Sequence, residues 1–150
     1  MSLEEKINND LKDAMRAKNE AALRGLRAVK SAILLAKTDK GVGSALSQDE
    51  EIKILQKLAK QRRESAQIYK EQNREDLTNA ENQELEIIEK YLPAQMNEDE
   101  LRNEIKKIIE ETGASSPTEM GKVMGVASKR LAGKADNKKI SEITRQMLST

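Results

Sequence analysis

Apolar residues recur every three to four positions along almost the whole chain, which is the period of an α-helix. This pattern predicts seven helices and no sheet. The predicted helices cover about residues 3–17, 20–38, 48–72, 74–91, 98–112, 117–131 and 136–148. We therefore expect an all-α protein.

Four helix starts carry a small polar residue followed three positions later by Glu, the capping-box pattern that satisfies backbone N–H groups at a helix start. The pairs are Ser2 with Glu5, Ser47 with Glu50, Asn97 with Glu100 and Ser116 with Glu119. Pro117 would occupy the first position of its helix. The first helix should bury one apolar face, made of Leu3, Ile7, Leu11, Ala14 and Met15.

Two segments interrupt the helical pattern. Residues 39–46 contain two glycines and no periodicity, which predicts a loop. Pro93 disfavours helical geometry at the residue before it and predicts a domain boundary. We expect residues 1–93 to form an N-terminal helical hairpin bundle and residues 94–150 to form a small C-terminal domain of three helices.

The composition limits the kinds of catalytic and metal-binding site that the chain can form. The chain has no cysteine and no histidine, which removes the thiol nucleophile, the commonest general base and the commonest metal ligands. No phosphate-binding loop or nucleotide fingerprint is present, so we predict no catalytic residue, no metal and no cofactor. The acidic, amphipathic start and the lack of an apolar run near 18 residues predict a cytoplasmic protein without a membrane span.

A formal charge of +1 hides strong segregation. Residues 12–40, 53–74 and 120–150 each carry a net charge of +5, and residues 75–119 carry −9. Basic blocks of this size suit contacts with a phosphate backbone, although solvated helix surface explains the first two blocks equally well. The third block favours a binding function, because its basic residues alternate with glycines that let a partner approach the backbone.

The candidate RNA-binding residues of the third block are Lys122, Lys129, Arg130, Lys134 and Lys138. For Gly121 and Gly125 themselves we favour close packing between helices, which could still position the flanking lysines. Gly133 predicts a turn, and Asp136 predicts the cap of the last helix. That helix start would suit a phosphate, although most helix starts bind only their own cap.

Six strings of the sequence closely resemble the GatB/YqeY family. They are MGKVMG at 120–125, GKAD at 133–136, EKYLP at 89–93, TGASS at 112–116, and RRES at 62–65 followed by NREDL at 73–77. Asn137 stands where a glycine is usual in the family. Because Asn also enters left-handed backbone geometry, this change is tolerable. The resemblance covers essentially the whole chain.

In that family, this architecture also forms the tail of one subunit of the glutamine-dependent aspartyl/glutamyl-tRNA amidotransferase, where it helps to hold the tRNA. The resemblance therefore implies a stand-alone tRNA-binding accessory module, and any carbon-nitrogen ligase label would be inherited from the larger enzyme. The alternative is a protein interaction module that docks on an amidotransferase or another tRNA enzyme. It requires an exposed apolar patch, for which the candidates are Leu34, Leu35, Ile54 and Leu58.

Overall fold

The computed structural model describes residues 2–41 and 43–149, and the predicted loop residue Val42 lies outside the described part. Within that part the chain forms seven α-helices and no strand, which confirms the predicted all-α fold. The helices are α1 (Leu3–Ala17), α2 (Glu20–Lys40), α3 (Gln48–Glu71), α4 (Glu75–Glu89), α5 (Glu98–Thr112), α6 (Met120–Arg130) and α7 (Asn137–Leu148). The chain divides into two compact units, Met1–Leu92 and Pro93–Thr150.

The first unit consists of two helical hairpins. Helix α1 packs on α2, α3 packs on α4, and α2 also contacts both α3 and α4. Its core is aliphatic and includes the fully buried side chains Ile7, Val29, Ile33, Leu55, Ala59 and Ile88. Short connections at 18–19 and 72–74 make each helix antiparallel to the next in its hairpin.

Three of the four predicted capping residues accept the expected backbone hydrogen bond. The Ser2–Glu5 and Ser47–Glu50 pairs form complete capping boxes, and the Asn97 side chain accepts from the Glu100 N–H at 2.9 Å. The Ser116–Glu119 box is wrong. Residues Pro117–Glu119 wind as a 3₁₀ turn, in which fewer residues per turn shift the position of Glu119. The Glu119 carboxylate accepts from the Ser115 N–H at 2.6 Å instead.

Two further predictions in the first unit need correction. Helix α2 continues to Lys40, two residues beyond its predicted end, and the Gly41 N–H bonds to the Lys37 carbonyl oxygen. Met15 was predicted on the buried face of α1, but its side chain is 53% exposed. It lies about 100° round the helix from buried Ala14, and this step takes it off the edge of the apolar stripe.

Gly25 is the glycine that allows two helices to approach closely. It is buried on α2, and a Cβ placed there would lie 2.9 Å from the Cβ of Ile87 on α4. Real Cβ atoms do not approach so closely, so no larger residue fits without moving one helix. Nothing in the local sequence around Gly25 indicates this contact, because its partner lies 62 positions away.

One arginine faces two carboxylates between α3 and α4. The Nε atom of Arg62 lies 3.7 Å from Oε2 of Glu81 and 3.8 Å from Oε2 of Glu84. The Nε atom of Arg62 and the Oε2 atom of Glu81 are buried and have no hydrogen-bond partner among the described residues. Desolvation, followed by the charge of Glu84, raises the pKa of Glu81, and the weaker attraction of Arg62 opposes this shift. The cluster therefore holds a negative charge that is only partly compensated.

The residue Tyr91 ties the end of the first unit to α1. Its hydroxyl donates a hydrogen bond to the carboxylate of Asp10, across 81 positions of sequence. Burial raises the pKa of Tyr91, and the hydrogen bond to Asp10 raises it further. This contact gives the tyrosine of the EKYLP string a structural role.

The second unit is a three-helix domain, with α6 in contact with both α5 and α7. Its core is again aliphatic and contains Leu101, Ile105, Ile108, Val123, Ala127, Leu131, Ile140 and Ile143. Across both units, no helix of the described chain combines the length and apolar character needed to cross a membrane.

Candidate nucleic-acid interface

Helix α6 buries one face and leaves the opposite face open. Val123 and Ala127 are fully buried against the core of the second unit, and Met120 and Met124 pack partly against the same core. With about 100° between successive residues, Gly121 and Gly125 fall on the other side of the helix from Val123 and Ala127. Both glycines are exposed.

The packing role predicted for Gly121 and Gly125 is wrong. A Cβ added at either position would meet no atom of the described residues within 4 Å, so no helix of the described chain packs on them. Neither glycine has the positive φ that would require glycine for conformational reasons. What remains is a strip of bare helical backbone that faces solvent.

Two lysines border this strip. Lys122 and Lys129 are exposed on α6, and neither forms an ion pair with any residue that the structure describes. They are seven positions apart, which is two helical turns and about 10 Å along the axis. The outer face of α6, which we define as Gly121, Lys122, Gly125 and Lys129, therefore combines free positive charge with close access to the backbone.

Unlike these two lysines, Arg130 has an acidic partner within the chain. Its guanidinium donates two hydrogen bonds to Glu111 on α5, at 3.2 and 2.7 Å. The hydrogen bond from Arg130 lowers the pKa of Glu111. Of the five candidate RNA-binding residues, Arg130 is thus the one whose charge is already engaged within the chain.

The turn at residues 131–136 is built by backbone contacts. Gly133 has φ +77°, in the left-handed region that favours glycine. Its carbonyl oxygen accepts from the side-chain amide of Gln95 at 2.6 Å, and the Lys134 carbonyl oxygen accepts from the Met96 N–H at 3.0 Å. The segment before α5 therefore holds this turn in place, a long-range contact that has no signal in the local sequence.

Asp136 caps α7, as predicted, and accepts from the Lys138 N–H at 3.2 Å. The start of α7 thus binds its own cap, as most helix starts do. The side chains of Lys134 and Lys138 are exposed, and neither has an ion-pair partner among residues 2–41 and 43–149. These two lysines flank the capped helix start.

The described residues contain no group of three or more acidic side chains that could hold a metal ion.

Comparisons with known proteins found similar proteins that match from 71% to 92% of the chain. It is 37% identical over 109 residues to "Altered inheritance of mitochondria protein 41, mitochondrial" of Clavispora lusitaniae, a match that covers 71% of this chain and 62% of the relative. It is 32% identical over 151 residues to the protein of the same name from Pyrenophora tritici-repentis, covering 92% of this chain and 78% of the relative. The chain thus spans less than two thirds of the length of the first of these relatives. The profile described as "Yqey-like protein" matches residues 4–148, and the chain belongs to this family.

Proposed function

We propose that this protein is a non-catalytic accessory module that binds structured RNA, with tRNA as its partner. The observation that carries the proposal is the outer face of α6, where two lysines that form no ion pair with any described residue border two exposed glycines. Lys134 and Lys138 add two further free charges at the start of α7. Phosphate contacts of this kind supply most of the sequence-independent affinity for nucleic acids.

The exposed glycines support a close partner because they weaken the helix that carries them. Glycine inside a helix is about 1 kcal/mol less favourable than alanine. Since neither Gly121 nor Gly125 is needed for packing or for a positive φ, the fold itself gains nothing from them. Because these glycines have no side chain, a phosphate backbone or a ribose edge could lie directly against the backbone of α6.

The scarcity of aromatic residues bears on the kind of RNA. The chain has only two, Tyr69 and Tyr91, and the hydroxyl of Tyr91 is bonded to Asp10. Single-stranded RNA is usually bound by stacking its bases on aromatic side chains. Recognition here would follow the shape and the phosphates of a folded RNA, as the resemblance to the amidotransferase tail implies.

Within this proposal a ligase activity belongs to the larger amidotransferase and not to this chain. The partner enzyme would be an amidotransferase or another enzyme that acts on tRNA, and we keep the cytoplasm as the proposed location. The relatives named above are mitochondrial proteins by name, so the same module would serve a separate compartment in those fungi.

A second candidate function is docking on a protein. Leu34 and Leu35 are 45% and 64% exposed on the outer face of α2, which favours a small apolar contact site. Leu58 packs partly against the core of the first unit, and Ile54 is half-buried, so the patch is smaller than the sequence predicts. This smaller patch is the reason that we place RNA binding first.

Charge reversal on α6 tests the RNA-binding proposal. Three to five phosphate contacts should give a slope of log affinity against log salt of roughly −3 to −4.5, at about −0.9 per contact. Lys122→Glu combined with Lys129→Glu should weaken tRNA binding and flatten that slope, and Lys134→Glu combined with Lys138→Glu should do the same. Lys6→Glu, an exposed change on α1, serves as the matched control.

Two neighbouring residues give a sharper comparison. Lys129→Gln should weaken tRNA binding more than Arg130→Gln, because Arg130 is held by Glu111 and Lys129 is free. Binding can be followed by filter retention or fluorescence anisotropy, with helicity checked by circular dichroism. Undetectable binding at about 50 mM salt would favour the docking function instead, and binding that survives both double reversals would show that α6 and the start of α7 are not the contact surface.

A further inference from the structure

The hairpin of α3 and α4 carries a polar groove. The groove shares no lining residue with the outer face of α6. Two adjoining cavities, of about 460 and 250 Å³, lie along it and share Lys70, Thr78 and Asn82. Arg74 lies at the end of the groove nearest the hairpin turn, and Arg63 and Gln67 line its other end. The RRES and NREDL strings each contribute one of these arginines.

The turn that closes the hairpin is rigidly built. Asn73 has φ +58°, and its N–H bonds to the Lys70 carbonyl oxygen at 3.1 Å. The Arg74 N–H bonds to the Tyr69 carbonyl oxygen at 2.9 Å. These bonds fix the direction in which α4 leaves the turn, so the groove is a preformed feature of the hairpin.

Three basic side chains line the groove, and one of them, Lys70, is available to an anion. Arg63, Lys70 and Arg74 are basic, and the carboxylate of Glu75 lies at the turn end. Lys70 forms no ion pair with any residue of the described chain, whereas Arg63 is 3.0 Å from Glu89 and Arg74 is 3.3 Å from Asp76. An incoming anion would meet the free ammonium of Lys70 first and would share the two arginines with their present partners.

The shape of the groove favours an extended ligand over a single enclosed ion. Arg63, Gln67 and Lys70 recur at helical spacing on one face of α3, and the seven positions from Arg63 to Lys70 span about 10 Å. The side-chain amides of Gln67 and Asn82 lie among these cations and suit phosphate and ribose oxygens, and the amide of Gln67 already donates one hydrogen bond to the Glu71 carboxylate at 3.1 Å. Such a row of donors fits successive phosphates of a nucleic acid backbone.

We propose that the α3–α4 groove, through Lys70 with Arg63 and Arg74, holds phosphate groups of an RNA backbone as a second contact surface. This inference rests on the RNA binding proposed above, but it assigns a separate site to the first unit. Each unit would then contribute its own phosphate contacts to one folded RNA.

The test compares two lysines on the same helix. Lys70→Gln removes the free charge of the groove, and Lys57→Gln removes an exposed charge of α3 outside it. One phosphate contact contributes about 0.9 to the salt slope, so at roughly 50 mM salt Lys70→Gln should weaken tRNA binding about tenfold and reduce the slope by about 1. Lys57→Gln should change neither quantity appreciably.

The α6 double variant, Lys122→Glu with Lys129→Glu, is measured in parallel so that the two proposals fail separately. If Lys70→Gln matches Lys57→Gln while the α6 variant weakens binding, the groove inference is overturned and the proposed function stands. If Lys70→Gln weakens binding and the α6 variant does not, the groove inference is supported and the α6 surface is the wrong one. A full-length protein that binds no tRNA at this salt would overturn both.

Discussion

Replacing the exposed glycines of α6 by alanine should make the protein more stable and a weaker RNA binder. Gly125 lies in the middle of α6 and Gly121 is its second residue, and a Cβ at either position meets open space. Glycine inside a helix costs about 0.8 to 1.0 kcal/mol relative to alanine. We therefore expect Gly125→Ala to add about 1 kcal/mol to the free energy of unfolding and Gly121→Ala to add less, because it is near the helix end.

The size of the thermal effect follows from the size of the unit. A change of 1 kcal/mol shifts the melting temperature by about 4–8 °C in a domain of 60 to 100 residues, and the second unit spans residues 93–150. Urea or thermal denaturation followed by circular dichroism measures this gain. The two methyl groups would also hold a close partner away from the backbone, so tRNA affinity should fall although no charge has changed.

A matched variant separates the two effects. Asn103 is exposed on α5, and Asn103→Ala also replaces a weaker helix former with a better one in the same unit. It should raise stability without affecting RNA binding. If the glycine variants bind tRNA as tightly as the wild type, backbone access on α6 is irrelevant to binding. If they lose stability, the added methyl groups meet neighbouring atoms in solution and the face of α6 is not open.

Two further predictions concern the first unit. Gly25→Ala should lower the free energy of unfolding by about 1–3 kcal/mol in urea denaturation, because its Cβ would overlap the Cβ of Ile87; unchanged stability would show that α2 and α4 can separate freely. Glu81→Gln should raise stability at neutral pH by less than about 1 kcal/mol, since Glu84 still faces Arg62. The raised pKa of Glu81 means that the folded state binds its proton more tightly, so wild-type stability falls as pH rises above about 4.5 through the folded pKa. The advantage of Glu81→Gln should therefore disappear below that pH, and an advantage that persists in acid would contradict this cause.

The exposed glycines of α6 and the buried Gly25 show what the sequence could and could not predict. The spacing of Gly121 and Gly125 is the same whether a helix packs on them or not, and the spacing alone favoured packing. A helical projection would have placed them opposite the buried Val123 and Ala127, so their exposure had a signal in the sequence. Gly25 had no comparable signal, because Ile87 reaches it only through the pairing of α2 with α4.

Local features of the helices could likewise be predicted from the sequence, and contacts between distant charged residues could not. Helix starts depend on residues within one turn, and the Ser2 and Ser47 boxes were therefore predictable. The 3₁₀ turn at Pro117–Glu119 was not, because it differs from an α-helical first turn by a shift of one hydrogen-bond partner. Long-range ion pairs such as Arg62 with Glu81 depend on how helices pair, which periodicity does not specify.

The ion pairs show how much of each charge block is neutralised by neighbouring side chains. Much of the acidic block at 75–119 faces basic residues within its own unit: Glu81, Glu84 and Glu89 lie near arginines of α3, and Glu111 holds Arg130. The three blocks of +5 are therefore not equivalent, because part of the second is neutralised along the α3–α4 hairpin. In the third block only Arg130 and Lys139 have acidic partners among the described residues, while Lys122, Lys129, Lys134 and Lys138 have none. A phosphate backbone that approaches the second unit would meet four lysines that form no ion pair with any described residue, and for this reason we propose the main RNA contact on that unit and a subsidiary one at Lys70.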